Sequence, residues 1–340
     1  MTPRDTAITA LQGGRPDGLV PHLELVFQLT EQVFGQKGLR GEDLKDLRGP
    51  RRTDALKRNA ELWVRVAETY DWSVITGPNW LPPDEQCETF EYIREIAGDT
   101  YLLSAFCDGT YAIPDGETMS DHVAMLFERP EEAREKAEAR IADNARVATQ
   151  LIEAGAQVVF MCADYCFNTG PFLSPPMFAE FVTPYLERIV TRLHEAGEAA
   201  GRRVLCVKHT DGDILPILDQ LVSTGIDALH SIDPQAGVDI AEVRRRVGDR
   251  VCLIGNVECA ALQSGTPDQI RDSALYALEH GGVDGGGYIF ASSNCIFQGV
   301  PIENYDAMLR VRQEYGYPGA NRPVEDIAPP IKMGEREMVL

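Results

Sequence analysis

The chain is short of positive charge. Against 53 Asp and Glu stand 32 Lys and Arg, a formal net charge of −21 over 340 residues. That balance disfavours nucleic acid and anionic membrane surfaces as partners, because both are bound by releasing counterions from a basic face. The local basic run Arg244-Arg245-Arg246 falls on a predicted helix and reads as a solvated face. Long apolar runs are absent too. None approaches the roughly 20 residues that a membrane-spanning helix needs. The opening Met1-Thr2-Pro3-Arg4-Asp5 carries no apolar signal segment, so a cytoplasmic protein is expected. No C-x-x-C or H-E-x-x-H pair marks a metal site, and no G-x-S-x-G elbow marks a serine hydrolase. Gly285-Gly286-Gly287 leads into an apolar run instead of joining a strand to a helix, which excludes a phosphate or dinucleotide loop. The 8 cysteines are scattered, several within apolar runs (Cys206, Cys252), and read as free thiols rather than a disulfide framework.

What remains is an ordinary globular composition, 44% hydrophobic and 25% charged, with a regular rhythm. Eight short apolar segments recur: Val20–Phe27, Trp72–Gly77, Tyr101–Cys107, Gln157–Ala163, Arg203–His209, Ala228–Ile232, Val251–Val257 and Gly287–Ala291. Such runs read as buried parallel strands. Between them lie stretches of helical periodicity at Arg51–Tyr70, Pro130–Ala154, Pro176–Ala199, Ile214–Ser223, Ile240–Val247, Pro267–His280 and Pro301–Tyr315. Strand and helix alternating eight times predict an α/β fold, a (β/α)8 TIM barrel, with a doubly wound open sheet as the alternative. The barrel is expected over 20–318, preceded by an N-terminal extension over 1–19 and followed by a Pro- and charge-rich arm over 319–340. The long excursion from Thr30 to Asp71 and the polar loop Asp108–Met119 are expected near the barrel mouth.

The candidate chemistry sits at strand ends. Barrel enzymes build their sites at the C-terminal ends of the strands. Here those ends carry Asp164, Tyr165 and Cys166; then His209, Asp211 and Asp213; His230, Ser231 and Asp233; Asn256, Glu258 and Cys259; and Ser292, Ser293, Asn294 and Cys295. Glu24, on the first strand, is expected to join them. His209 and Asp211 are two apart, so on an extended chain both can face one ion. With Cys295 from the last strand they offer nitrogen, oxygen and sulfur, a donor set that zinc accepts. The competing reading is that His209 and Asp211 only hydrogen-bond each other and the neighbouring loop. Glu258, His230, Asp164 and Glu24 are candidate acid–base groups. Tyr165, Cys166, Asn256, Asn294 and Phe297 are candidate substrate contacts.

Several segments then recur in a specific order. Leu173-Ser-Pro-Pro-Met-Phe-Ala-Glu-Phe-Val182 comes first, followed by His209-Thr-Asp-Gly-Asp213 and Gly225-Ile-Asp-Ala-Leu-His-Ser-Ile-Asp-Pro234. Ile254-Gly-Asn-Val-Glu258 and Val300-Pro-Ile-Glu-Asn304 complete the set. Together they resemble the uroporphyrinogen decarboxylase superfamily, strongly over Gln157 to Gly316. The resemblance implies a (β/α)8 barrel and one of two activities: metal-free decarboxylation of uroporphyrinogen, or zinc-dependent methyl transfer to or from a corrinoid protein.

The stretch Gly14-Arg-Pro-Asp-Gly-Leu-Val-Pro-His-Leu-Glu24 does not match the Arg-containing region of the decarboxylases, and an acidic mouth suits an eight-carboxylate substrate poorly. The resemblance therefore implies the corrinoid-dependent methyltransferase branch, with zinc and a cobalamin-type corrinoid carried by a partner protein. Relatives with a thiol acceptor show H-x-C and a later Cys. This chain has His209 and Asp211, and counting back from Pro301 places Asn294, not Cys295, on the later position. Asp in place of a thiolate makes a harder ion, suited to an ether or alcohol oxygen. An O-demethylase acting on a small substrate such as an aryl methyl ether is the resulting expectation. A carboxylate-substrate decarboxylase and a non-catalytic tetrapyrrole-binding barrel are the alternatives. A homodimer is compatible with the sequence.

Overall fold

The computed structural model describes residues 1–282 and 286–316. The expected arm over 319–340, and Gly285 of the glycine run, lie outside the described residues. In chain order the strands are β1 (Val74–Ile75), β2 (Leu102–Phe106), β3 (Val158–Met161), β4 (Cys166–Phe167), β5 (Gly170–Pro171), β6 (Leu205–Thr210), β7 (Ala228–Ser231), β8 (Cys252–Val257) and β9 (Tyr288–Ser292). One parallel sheet runs β1-β2-β3-β6-β7-β8-β9, while β4 and β5 pair as a small antiparallel hairpin.

The expected first strand, Val20–Phe27, is not a regular strand. Pro21 has no N–H to donate to a ladder, and the segment makes isolated parallel bridges from His22 to Phe290 and from Phe27 to Ile296. It nevertheless joins the two edges of the sheet. The Ser73 N–H donates to the His22 carbonyl at 2.7 Å, and the Phe290 N–H donates to the Pro21 carbonyl at 2.9 Å. The curled sheet closes through this segment into a barrel of the (β/α)8 type.

Alternation along the strands sorts the apolar residues into two layers. Leu23, Leu25, Val74, Leu102, Val158, Phe160, Leu205, Val207, Ala228, Ile254 and Ile289 fill the interior. The intervening residues, such as Cys206, Leu229, Leu253 and Phe290, pack against the surrounding helices. The extension over 1–19 contributes a helix, Pro3–Leu11, whose N-terminus is fixed by a reciprocal Thr2–Asp5 capping box. Its Ala7, Ala10 and Leu11 join the interior cluster, so this helix stoppers the end where the strands begin.

Most expected helices form, including Pro50–Tyr70, Pro130–Ala154, Ile240–Val247 and Pro267–Gly281. The expected helix Pro176–Ala199 divides into Pro175–Phe181 and Thr183–Ala199. Pro184 lacks the N–H that would continue the ladder, so the axis breaks at Val182. The expected helix Ile214–Ser223 starts later, at Leu218. A helix over Pro83–Ala97, opened by Pro, Asp and Glu, adds to the outer layer. No helix among the described residues is long and apolar enough to cross a membrane.

Candidate active site

Strand β6 sends Leu205 and Val207 into the barrel interior. The same alternation carries His209 and Asp211 to its upper end. His209 lies in register with His230 of β7, so the two imidazoles share the inner face. Their Nδ1 atoms are 2.7 Å apart, a hydrogen bond that places one proton between the two rings. Burial, with His230 and Lys208 adding repulsion, holds His209 well below the ordinary histidine range. Burial pushes His230 down to about 3. Both rings are therefore neutral at pH 7. The His230 Nε2 is buried and has no hydrogen-bond partner among the described residues. With Nδ1–H of His209 donated to His230, the Nε2 lone pair of His209 is left facing the mouth.

Two carboxylates meet that lone pair. Asp211 Oδ1 lies 3.8 Å and Asp164 Oδ1 4.0 Å from His209 Nε2. Donor atoms of all three residues fall within 4.8 Å of one another. Asp211 is held from both sides, accepting from Ser231 Oγ at 2.6 Å and from Asn294 Nδ2 at 2.5 Å. Its own N–H donates to Asp164 Oδ1 at 3.2 Å. Burial raises Asp211 to about 7; the Ser231 hydroxyl opposes the shift, and Asp164 and Asp233 reinforce it.

The backbone around the cluster is specialised. Ser231 and Ile232 have φ of 83° and 51°, a left-handed conformation unusual for any residue but glycine and least expected of a β-branched one. Gly212 has φ of 83°, and a Cβ there would sit 2.5 Å from the Cys166 carbonyl oxygen. The H-T-D-G turn thus needs its glycine to let the hairpin of β4 and β5 close over the end of β6.

The structure separates the other candidates. Asn294 joins the cluster through Asp211. Cys295, the expected third ligand, does not belong to it; Asp164 stands there instead. Burial and neighbouring Cys259, Glu24 and Asp211 push the Cys295 thiol up to about 12. Asn256 is buried and donates to the Ile232 carbonyl at 2.9 Å, supporting the left-handed turn. Glu258 opens the helix Cys259–Ser264, and its N–H donates to Ser273 Oγ at 3.0 Å; it is not one of the cluster's ligand atoms. Phe297 is half-buried against the outer core. Cys166 is buried in the hairpin, its thiol raised to about 12 by burial and by Asp213.

Tyr165 turns away from the mouth. Its hydroxyl lies 2.6 Å from Thr110 Oγ1, and its ring sits 4.1 Å beneath Lys208 Nζ. Lys208 points to the outer side of β6 and binds Asp108 Oδ2 at 2.8 Å and the Ala163 carbonyl at 2.9 Å. Burial acts to raise Asp108, but the Lys208 ammonium outweighs it and holds the carboxyl below its ordinary value. Asp108, a carboxylate at the exit of β2, was not singled out from the sequence. The signal was there: it follows an apolar strand, as Asp164 and Asp211 do.

Glu24 is the clear correction. Leu23 and Leu25 fill the interior, so His22 and Glu24 face the outer layer. Glu24 accepts from Ser292 Oγ at 2.5 Å, and His22 Nε2 meets Tyr305 Oη at 3.0 Å on the last helix, Ile302–Tyr315. Burial raises Glu24 to about 8 despite the Ser292 hydrogen bonds. It lies behind the barrel wall, not in the mouth.

A closed parallel barrel with an acidic, histidine-containing cluster at the strand ends defines an enzyme-type architecture. The chain matches the family model for uroporphyrinogen decarboxylase (URO-D) over residues 86–315 and belongs to that family. A uroporphyrinogen decarboxylase of Aliivibrio salmonicida is 33% identical over 168 residues, covering 49% of this chain and 44% of that one. One of Alkalilimnicola ehrlichii is 31% identical over 231 residues, covering 64% and 58%. The first of these matches spans less than half the length of the relative. Among solved structures, a methyltransferase from Methanosarcina mazei superposes with a TM-score of 0.69 at 18% identity, covering 93% of this chain and 99% of that one. At that identity the likeness shows the fold.

Proposed function

We propose that this chain is a methyltransferase moving a methyl group between a small O-methyl substrate, such as an aryl methyl ether, and a corrinoid protein, with a zinc ion held at the mouth. One observation carries the reading: two carboxylate oxygens lie 3.8 and 4.0 Å from His209 Nε2, so three potential ligand atoms face one point. Such a cluster calls for a cation or a proton. The donors fit zinc, which takes one nitrogen and two oxygens readily and in catalytic sites keeps a further position open. Ligand atoms about 3.3 Å apart, as bonds near 2.0 Å require, are reached by small side-chain shifts. Without a thiolate the ion is harder and leans toward oxygen ligands. When bound, zinc supplies Lewis-acid polarisation of the substrate oxygen, and the corrinoid supplies the methyl carrier.

The residues of this chain prepare that point. His230 shares one proton with His209 Nδ1; in the tautomer in which His209 donates it, Nε2 presents its lone pair. Ser231 and Asn294 fix the Asp211 carboxylate. Asp211, titrating near 7, holds a proton or releases it at Oδ according to the charge beside it. Edge-to-face contacts run from the exposed Trp80 through the partly buried Phe106 and the fully buried Phe160 to His230, so Trp80 and Phe106 are the rings of this series that an aryl group could meet. The Methanosarcina mazei structure, named a methyltransferase, agrees with this reading.

A decarboxylase is the second reading, favoured by the names of the curated relatives. It predicts no metal and cations aimed at substrate carboxylates. Lys208 is instead engaged by Asp108. The deciding experiment is elemental analysis and zinc titration of the wild type and His209→Ala, followed by assays with methyl ethers plus a corrinoid protein and with uroporphyrinogen. We expect zinc in the wild type, its loss from the mouth in the variant, and turnover of a methyl ether only. Equal zinc affinity in the two proteins, or turnover of uroporphyrinogen alone, would overturn the proposal.

A further inference from the structure

A second set of mixed donors lies at the opposite end of the barrel, where the strands begin. His194 is on the outer helix Thr183–Ala199, Cys206 is the second residue of β6, and Asp227 immediately precedes β7. A ring nitrogen, a thiol sulfur and a carboxylate oxygen from these three residues fall within 4.8 Å of one another. We propose that His194, Cys206 and Asp227 form a thiolate-containing binding site for a zinc-class divalent cation, separate from the mouth cluster.

The protein has already fixed two of the ligands. Asp227 exchanges backbone hydrogen bonds with both flanking strands: its N–H donates to the Cys206 carbonyl at 2.9 Å, and its carbonyl accepts from Cys252 N–H at 2.9 Å. Its Oδ2 accepts from the Cys206 N–H at 2.7 Å and lies 2.8 Å from His194 Nε2. The carboxylate is therefore immobile, with Oδ1 unused by any described residue. The Cys206 thiol is fully buried and hydrogen-bonds no described residue. Burial, reinforced by Asp227, holds it well above the ordinary thiol range, so by itself it stays protonated and inert. A bound cation would displace that proton, since a coordinating thiol is deprotonated outright. The set opens onto a surface cleft that His194, Glu198, Arg203 and Asp227 help to line. Water can reach a fourth position from there. Glu198, one helical turn beyond His194, offers a carboxylate to that water.

Histidine, cysteine and aspartate in one place match zinc, which accepts nitrogen, sulfur and oxygen together. The simpler alternative is a His194–Asp227 hydrogen bond that tethers helix to sheet, with Cys206 serving only as a buried core side chain. A bound ion would clamp the outer helix to β6 and β7 and would stabilise the fold by mass action.

Cobalt(II) distinguishes the two sites, because only this one has sulfur. The test is cobalt titration of the metal-free full chain in the His209→Ala background, which removes the mouth site. We expect a near-ultraviolet thiolate-to-cobalt charge-transfer band saturating at one ion per chain, and zinc should displace it. Cys206→Ser should abolish the band. His194→Gln, at a half-exposed position that tolerates the change, should weaken cobalt binding by about tenfold or more. No band at saturating cobalt, a band that survives Cys206→Ser, or His194→Gln binding as tightly as its parent would each overturn the proposal. Should Cys206→Ser fail to fold by circular dichroism, His194→Gln decides alone.

Discussion

The chemistry of the mouth turns on one carboxyl group. Asp211 titrates near 7 in the folded chain, against about 3.9 for an unperturbed Asp. The native state thus holds a proton that the unfolded state gives up. Stability from this group is complete below about pH 4 and is lost as pH rises toward 7. Asp211→Asn removes that titration. We expect the Tm of the metal-free variant to gain on the wild type between about pH 4 and 7 and then to hold a constant offset. A gap that does not change with pH across that window would mean that Asp211 ionises normally. Glu24 gives a companion prediction. It is raised to about 8, yet faces the outer layer with Ser292. Glu24→Gln should leave zinc affinity at the mouth unchanged, while its stability gains on the wild type between about pH 4.5 and 8 and then holds a constant offset, because the unfolded carboxyl ionises across that window before the buried one does. A drop in zinc affinity in Glu24→Gln would return Glu24 to the active site.

At the scale of elements, the exit of β6 and the hairpin of β4 and β5 are one construction. Gly212 has φ of 83° and leaves no room for a Cβ beside the Cys166 carbonyl. Gly212→Ala should cost about 1–3 kcal/mol in urea unfolding and lower zinc affinity, because Asp211 is its neighbour. An alanine variant as stable as the wild type would show that the turn can relax. The same region shows how much the sequence disclosed. His209 and Asp211 were legible because they continue a two-residue alternation past an apolar run. Asn294 was legible by counting back from Pro301, and the structure puts it on Asp211 rather than leaving the place to Cys295. Glu24 was not legible. Both faces of a barrel strand are buried, so alternation gives two sets without saying which is inside. The closing segment also has no regular strand pairing that would fix its face. The Lys208–Asp108 pair, 100 residues apart in the chain, depends on how β2 and β6 flank β3, which no local pattern encodes. Nor did sequence show that Ser231 and Ile232 take left-handed backbone, since Ser-Ile carries no turn signal.

Over the whole molecule, stability and chemistry sit at opposite ends. The mouth collects strained backbone and buried ionisable groups. The other end is closed by the helix Pro3–Leu11, whose Ala7, Ala10 and Leu11 pack with interior residues such as Leu102, Val158 and Ile289. The division matches the general behaviour of parallel barrels, in which the face at the strand starts serves stability. Leu11 is 3% exposed, so Leu11→Ala leaves a void that the surrounding strands can only partly fill. We expect a loss of about 2–4 kcal/mol in chemical denaturation. Zinc affinity at the His209 cluster should stay within about twofold, because effects at distant, unshared sites add independently. Equal losses in stability and zinc affinity would mean that the barrel transmits packing at its base to the geometry of its mouth. The helix would then be part of the active-site support, and the interior layers between Leu11 and His209 would be the place to look for the coupling.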